Sequence, residues 1–366
     1  MPYPTFLSLA AFLACAVMAV PALAAPQVEE CVDVARVWAG HPVGFCLLTH
    51  PPHQFVAFYD ADRRMTVAAR RLDEEEWRFQ VLPETIGWDS HNYIAMVVDD
   101  DGYLHLAGNM HVDPLKYFRT EKPLDITTFQ RIPEMVGTEE ARVTYPRFTR
   151  GPNDELLFTY RDGKSGSGNQ IWNVYDHDTQ TWKRLLDQPL TDGKGEMNAY
   201  FYGPVRGPDG FYHLAWAWRN TPDCSTNHDL SYARSADLRH WETSAGVPLE
   251  LPVTIGSAEI VDPVPPGGGI INGNVRIGFD HRDRVVLTYH KFDANGKTQL
   301  YNARREKAGW RIYQSSDWDH RWAFEGGGSI HFAIRVGALQ TDADGNLVQS
   351  WRHDEYGRQR WRLAPD

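Results

Sequence analysis

Five times along the chain, a turn marked by Asp, Asn or Gly opens into a short, strongly apolar run. The series reads Asp101-Gly102-Tyr103-Leu104-His105-Leu106-Ala107-Gly108, Asn153-Asp154-Glu155-Leu156-Leu157-Phe158-Thr159-Tyr160 and Asp209-Gly210-Phe211-Tyr212-His213-Leu214-Ala215-Trp216. It continues as Arg282-Asp283-Arg284-Val285-Val286-Leu287-Thr288-Tyr289 and Asp344-Gly345-Asn346-Leu347-Val348-Gln349-Ser350-Trp351. Asp101, Asp154, Asp209, Asp283 and Asp344 lie 53, 55, 74 and 61 residues apart. Further strand-like runs follow at Leu115–Arg119, Ile171–Tyr175, Leu230–Ala233 and Leu300–Arg304, and outer strands are marked by Phe129, Trp182, Trp241 and Trp310. An earlier unit comprises Gln54–Tyr59, Met65–Arg71 and Trp77–Leu82. Almost no segment has helical periodicity. A period near about 50 residues, with about four strands per unit, predicts an all-β chain folded as a β-propeller of four-stranded antiparallel blades. Each small sheet then buries both faces only by stacking on its neighbours. Six blades are countable. Val32–Val37 is expected to complete the last blade, and a degenerate seventh blade is left open in the Pro/Gly-rich Glu250–Gly269. Two stacked sandwich sheets are the alternative topology.

The 13 Trp, 16 Tyr and 16 Phe suit strand-rich cores and surfaces that stack on sugar rings. A net charge of −11 argues against a nucleic-acid partner and leaves an acidic substrate only a local basic pocket. Met1 to Ala24 carries no charged side chain, runs apolar from Phe6 to Val20, and ends in Ala22-Leu23-Ala24. This is the pattern of a secretory signal peptide (residues 1–24), released near Ala24 or Ala25. Anchoring as a lipoprotein at Leu13-Ala14-Cys15 is the weaker alternative. No later stretch reaches the roughly 20 apolar residues of a membrane span. The expectation is one exported catalytic domain over residues 25–366, secreted or periplasmic, monomeric and off the membrane. Three cysteines remain after processing. Cys31 and Cys46 are the natural disulfide pair, which leaves Cys224 either buried and inert or a metal ligand.

Three stretches break the strand grammar with polar residues. They are Trp88-Asp89-Ser90-His91-Asn92, then Gly108-Asn109-Met110-His111, then Thr144-Tyr145-Pro146-Arg147 followed by Tyr160-Arg161-Asp162-Gly163. Singly, each His reads as a satisfied structural residue. Strand ends of consecutive blades converge on a central funnel, however, so two His, a Tyr and an Arg could share one pocket. The Gly163–Gly168 run lacks the Gly-Lys-Ser/Thr end of a phosphate loop and reads as a glycine-rich turn.

Together with Trp216-Ala217-Trp218-Arg219 and Asn227-His228-Asp229-Leu230, these motifs resemble the BNR-repeat-containing β-propeller family, which includes propeller-type ulvan lyases. The resemblance runs from about Val43 to Arg304. It implies an exported polysaccharide lyase that cleaves a uronate-containing glycan, ulvan first, by β-elimination. His91 and Tyr145 fall on the proton-transfer positions. His111 and Arg161 fall on those that bind and neutralise the carboxylate. Arg offers a fixed fork for a carboxylate, His suits base work, and a Tyr among cations is expected to have a lowered phenol pKa. Asn92, Asn109, Arg147, Trp216, Trp218 and Arg219 are the expected substrate contacts. Catalysis is expected to need no cofactor. A structural Zn²⁺ is expected on His213, Cys224 and His228, with His290 as fourth ligand; a buried unpaired Cys with satisfied histidines is the rival reading. Two other functions compete. A glycoside hydrolase on the same scaffold would want a carboxylate pair. A non-catalytic sugar-binding propeller would use Trp216, Trp218 and Trp351 as stacking platforms.

Overall fold

The computed structural model describes Val28 and residues 30–364, so the leader lies outside the described residues. All the strands fall in the compact unit that begins at Ala35. They form six antiparallel sheets in chain order. The first holds Cys46–His50, His53–Tyr59, Arg64–Arg71 and Arg78–Thr85, and the second Ile94–Val98, Leu104–Gly108, Tyr117–Thr120 and Phe129–Ile132. The third holds Val143–Arg150, Leu156–Asp162, Asn169–Asp176 and Thr181–Arg184, with the short strand His111–Asp113 added along its first edge. Asn198–Arg206, Tyr212–Arg219, Asn227–Ser235 and Trp241–Glu242 make the fourth, and Arg276–Phe279, Val285–Phe292, Thr298–Glu306 and Gly309–Gln314 the fifth. In the sixth, Ile334–Val336 and Gln340–Thr341 share one edge of Leu347–His353, whose other edge takes Gly357–Leu363.

Burial explains why the strands lack a clean apolar–polar alternation. All eight residues of Tyr212–Arg219 and all five of Leu104–Gly108 are buried. In the four inner sheets, one face packs on the preceding sheet and the other on the following one. Separate cores fill the junctions: Phe55, Val67, Met96 and Leu106 between the first two sheets, and Tyr117, Phe158 and Trp182 between the second and third. Trp172, Trp216 and Trp218 fill the next junction, then Tyr232, Leu287 and Tyr289, then Trp318, Ile334 and Trp351. This consecutive face-to-face stacking is the layering expected of a propeller.

The turn chemistry is more specific than the Asp-Gly marks suggested. Asp99 Oδ1 accepts from the Asp101 and Tyr103 N–H groups, Asp280 Oδ1 from Arg282 and Arg284, and Asp342 Oδ1 from Asp344 and Asn346. The carboxylate that braces each of these hairpins therefore precedes the residue the sequence series picked out. Side-chain capping of a turn two residues on is what Asp does best.

Three expectations are corrected. Residues 250–269 supply only Glu259–Asp262, which pairs with Asn227–Ser235 in the fourth sheet instead of building a seventh. Val32–Val37 forms no strand, and Val37 makes an isolated bridge to Asp60, beside the first sheet instead of the last. Cys31 and Cys46 are both free. Cys46 is directed inward, its Sγ 3.6 Å from the Met96 carbonyl, and burial raises its thiol pKa. Among the described residues, no helix is long and apolar enough to cross a membrane.

Two buried histidines act as struts. His105 Nε2 lies 3.0 Å from Asp99 Oδ2 and Nδ1 2.7 Å from the Tyr117 hydroxyl. His213 repeats the arrangement with Asp209 at 3.0 Å and Tyr232 at 2.6 Å. An ionised carboxylate can only accept, so Nε2 carries the proton and Nδ1 accepts from the phenol. Burial lowers both imidazole pKa values, outweighing the neighbouring carboxylate. Substituting His105→Leu would leave Asp99 Oδ2 and the Tyr117 O–H without their partner in a fully buried position. The expected loss is about 1–3 kcal/mol, read from the urea midpoint at constant slope. A loss below ~1 kcal/mol would show that the strut contributes little.

Candidate active site

The loop between the first and second sheets carries Asp89, which accepts the His91 backbone N–H at 2.9 Å and so turns the His91 ring back on itself. Asp89 Oδ1 then lies 2.6 Å from His91 Nδ1, and Oδ2 lies 2.5 Å from His111 Nδ1. One carboxylate thus holds two imidazoles, with ring centroids 4.3 Å apart. Burial pushes the Asp89 carboxyl pKa upward. The His91 N–H and the His111 and His91 side chains together outweigh this and hold it at about 2. Because ionised Asp89 can only accept, both rings present Nδ1–H to it and leave Nε2 outward. Among the described residues neither Nε2 has a protein partner.

His111 reaches this position through irregular backbone. Asn109, at φ 60°, and Val112, at φ 64°, flank it. The Val112 N–H donates to Thr144 Oγ1 at 2.8 Å, tying the segment to the third sheet. There a bulge interrupts the register between Thr144 and Arg147, with Tyr145 at φ 59°. A bulge re-aims a side chain, and here it turns Tyr145 towards the histidines, its ring 5.8 Å from that of His91.

Arg161 is 3% exposed. Its Nε donates to the Gly163 carbonyl at 3.1 Å and Nη1 to the Tyr200 hydroxyl at 3.2 Å. Nη2 is buried without a partner, and among the described residues no carboxylate pairs with this guanidinium. The Arg161 Cζ lies 4.9 Å from the Tyr145 ring centroid. Gly168 is needed here, because a Cβ would lie 2.6 Å from Arg161 Cγ and Cδ. Tyr145, Arg161, Tyr200, Tyr93, Arg147 and Trp172 line a cavity of 290 Å³. The histidines are not among its lining residues and meet it through Tyr145.

The expected lowering of the Tyr145 pKa does not occur. Burial dominates, Tyr200 adds to it, and together they outweigh Arg161 and Arg219, so the phenol is pushed up to about 12.

His91, His111, Tyr145 and Arg161 are therefore neighbours, and Arg219 stands near them, 5.5 Å from the Tyr200 ring. Arg147 is exposed at the cavity and donates to the Gly203 carbonyl at 2.8 Å. Asn92 is buried with Oδ1 unpartnered. Asn109 is a pillar instead of a substrate contact, since its amide donates to Glu84 at 2.9 Å and to the Thr85 carbonyl. Trp216, Trp218 and Trp351 are buried in the junctions between sheets and offer no face to a sugar. Two residues escaped the sequence reading. Asp89 sat inside a quoted motif without a role. Tyr200, at the start of the fourth sheet, was signalled only by an aromatic at a strand entrance; its hydroxyl is held by Ser165 at 2.7 Å and by Arg161.

The zinc implied by the resemblance does not fit the four named residues. His213 is committed to Asp209 and Tyr232, and His228 to Asp229 at 2.8 Å and Asn220 at 2.7 Å. His290 is buried with both nitrogens unpartnered. Among the described residues, the only group of three or more potential ligands that comes together is Asp89, His91 and His111. The reason is topological, because His213 and Arg219 lie near opposite ends of one strand, and Cys224 follows the Arg219 end.

Residues 53–318 match the family described as "BNR repeat-containing family member". The chain belongs to that family. Two curated relatives are the long isoforms of ulvan lyase from Pseudoalteromonas sp. (strain PLSV) and Glaciecola sp. (strain KUL10). The first is 28% identical over 129 residues and the second 30% over 84. These matches cover 33% and 22% of this chain but only 13% and 8% of the relatives. Among solved structures, polysaccharide lyase Uly1 superposes with a TM-score of 0.62 at 15% identity, covering 93% of this chain and 85% of that one. A PL25 ulvan lyase bound to -[GlcA(1-4)Rha3S]- gives 0.58 at 14%, covering 90% and 86%. At such identity the superpositions establish a shared fold.

The Asp89 clamp makes a pH-dependent contribution to stability. Its carboxyl pKa falls from 3.8 to about 2 on folding, so the stabilisation is fully present above about pH 4 and is lost as pH falls through 2. Wild type and Asp89→Asn should differ most in denaturant stability near neutrality and converge only below about pH 2, under the folded-state pKa. A difference that stays constant with pH would mean that the clamp does not act through the carboxylate charge.

Proposed function

We propose that the chain is a polysaccharide lyase that cleaves an acidic, uronate-containing glycan, ulvan first, by β-elimination. The observation that carries this reading is the set of unsatisfied groups around one cavity: Arg161 Nη2, the Tyr145 hydroxyl and, beyond it, His91 Nε2. A buried guanidinium with no counter-ion is unfavourable until a ligand supplies an anion. A C6 carboxylate is such an anion. Its charge grows toward the enolate-like transition state, so a fixed cation acts where it helps most.

In this reading Arg161 takes the carboxylate and His111 assists beside it. His91 Nε2 removes the C5 proton, the C4=C5 bond forms as the C4–O bond breaks, and Tyr145 protonates the departing oxygen. A phenol held near 12 stays protonated at working pH, which suits it to the acid role, while Asp89 stabilises the imidazolium formed on His91. No step runs through a metal. The ulvan lyase solved with -[GlcA(1-4)Rha3S]- lends support at the level of fold and substrate class. Export through the Met1–Ala24 leader, with action as a monomer, accords with a substrate too large to enter a cell.

Two observations favour this reading over its rivals. Among the described residues no Asp or Glu lines the cavity, so a glycosidase's carboxylate pair has no candidate among its lining residues. The tryptophans of the sugar-binding alternative are buried.

Incubation with ulvan and other uronate polymers should raise the ultraviolet absorbance of the unsaturated product. New reducing ends without that rise would mean hydrolysis, and neither signal would mean binding alone. Tyr145→Phe should lose about 10²–10⁴-fold in turnover with KM nearly unchanged. Arg161→Ala should worsen both, because the carboxylate charge is present before and during elimination. Near-normal elimination by Tyr145→Phe would sink the mechanism.

A further inference from the structure

Trp88 directly precedes the carboxylate that clamps the histidines. It is 71% exposed and is the one tryptophan among the exposed large hydrophobic residues described. An exposed indole next to the clamped histidines offers a flat apolar face with a polar N–H at its edge, suited to a ligand that is apolar on one side. It is held in place all the same. Its ring centroid is 5.2 Å from that of Trp38, edge to face, and 5.7 Å from His41, while Trp38 Nε1 donates to His41 Nδ1 at 3.1 Å. The Arg63 guanidinium lies 6.0 Å from the Trp88 ring and 5.5 Å from the Trp38 ring. Its Nε is anchored on the Ile86 carbonyl at 3.0 Å, and among the described residues Nη1 has no protein partner. On the far side, Ser90 bonds to the Ser329 hydroxyl and Asp89 to both histidines, so the loop is pinned on either side of the exposed ring.

We propose that Trp88, flanked by Arg63, is a stacking subsite for a second pyranose ring of the same acidic polymer, outside the cavity that takes the cleaved uronate. The proposal rests on the lyase reading for the identity of the polymer. The apolar C–H face of a pyranose covers an indole well, and a rigid ring loses little entropy on being covered. Arg63 Nη1 faces an anionic substituent, carboxylate or sulfate, on the stacked sugar. On a chain of net charge −11, a cation kept at this edge helps a polyanion approach.

The test compares a long ulvan polymer with the shortest oligosaccharide the enzyme still cleaves. Trp88→Ala should raise KM for the long polymer roughly fivefold to tenfold with kcat held, spare the short substrate, and be largely rescued in Trp88→Phe. Unchanged kinetics on the long polymer would overturn the subsite. So would an equal loss on both lengths, which would mean that Trp88 acts through the Asp89 loop. If wild type forms no unsaturated product from any uronate polymer, the lyase reading fails by itself. The subsite is then judged by affinity electrophoresis in ulvan: retardation lost in Trp88→Ala supports it, and equal retardation of both proteins overturns it.

Discussion

Each sheet in this chain has two apolar faces, and no sheet can bury both alone. Everything else depends on that constraint. Once Tyr212–Arg219 or Leu104–Gly108 is wholly buried, a sheet must be laid on either side of it, and the chain supplies them in order. Strand ends of successive sheets are then brought together whatever their distance in sequence. The histidine loop before the second sheet, the exit from its second strand, the bulge of the third sheet and the entrance of the fourth become neighbours through packing. The site needs no domain of its own, because it is assembled from the ends of strands already fixed by the cores between sheets.

Within that frame, charge is distributed unevenly. Asp89 is close enough to raise the Tyr145 pKa, yet it does not pair with Arg161, because each of its oxygens is already taken by an imidazole. Arg161 makes only neutral contacts, with a carbonyl and a phenol. The anion thus holds the two imidazoles, and among the described residues the cation is left without a carboxylate of its own. A carboxylate on Arg161 itself would lower the cost of burying the guanidinium and would also occupy the place open to an anionic ligand.

The period of the Asp-marked hairpins carried the six-sheet organisation, and motif order carried the convergence of His91, His111, Tyr145 and Arg161. Residue type failed where burial decides. Trp216 and Trp218 have the composition of a sugar platform and the position of a core. His213 is close in sequence to Cys224 and His228 but divided from both by the length of a strand. The phenol of Tyr145 was expected to be lowered by its arginines, but desolvation is the larger effect, and its size follows from depth that no local pattern encodes. Tyr200 was missed because its role comes from a partner 39 residues away.

Four of the histidines separate by how their ring nitrogens are used. His105 and His213 each give one nitrogen to a carboxylate and the other to a phenol, so neither can take a proton without breaking a bond. His91 and His111 give Nδ1 to one shared carboxylate and keep Nε2 open. The backbone marks the same division. Asn109, Val112 and Tyr145 all sit at positive φ beside the open pair, and for Val this is a strong steric outlier. Each such residue costs on the order of 1–3 kcal/mol and persists only where neighbours over-determine it. Here Glu84 grips Asn109, Lys116 donates to the Asn109 carbonyl at 2.7 Å, and Thr144 holds the Val112 N–H. The strain is local and braced from three directions, so His111 and Tyr145 are oriented before any ligand arrives, and no binding energy need go to aiming them.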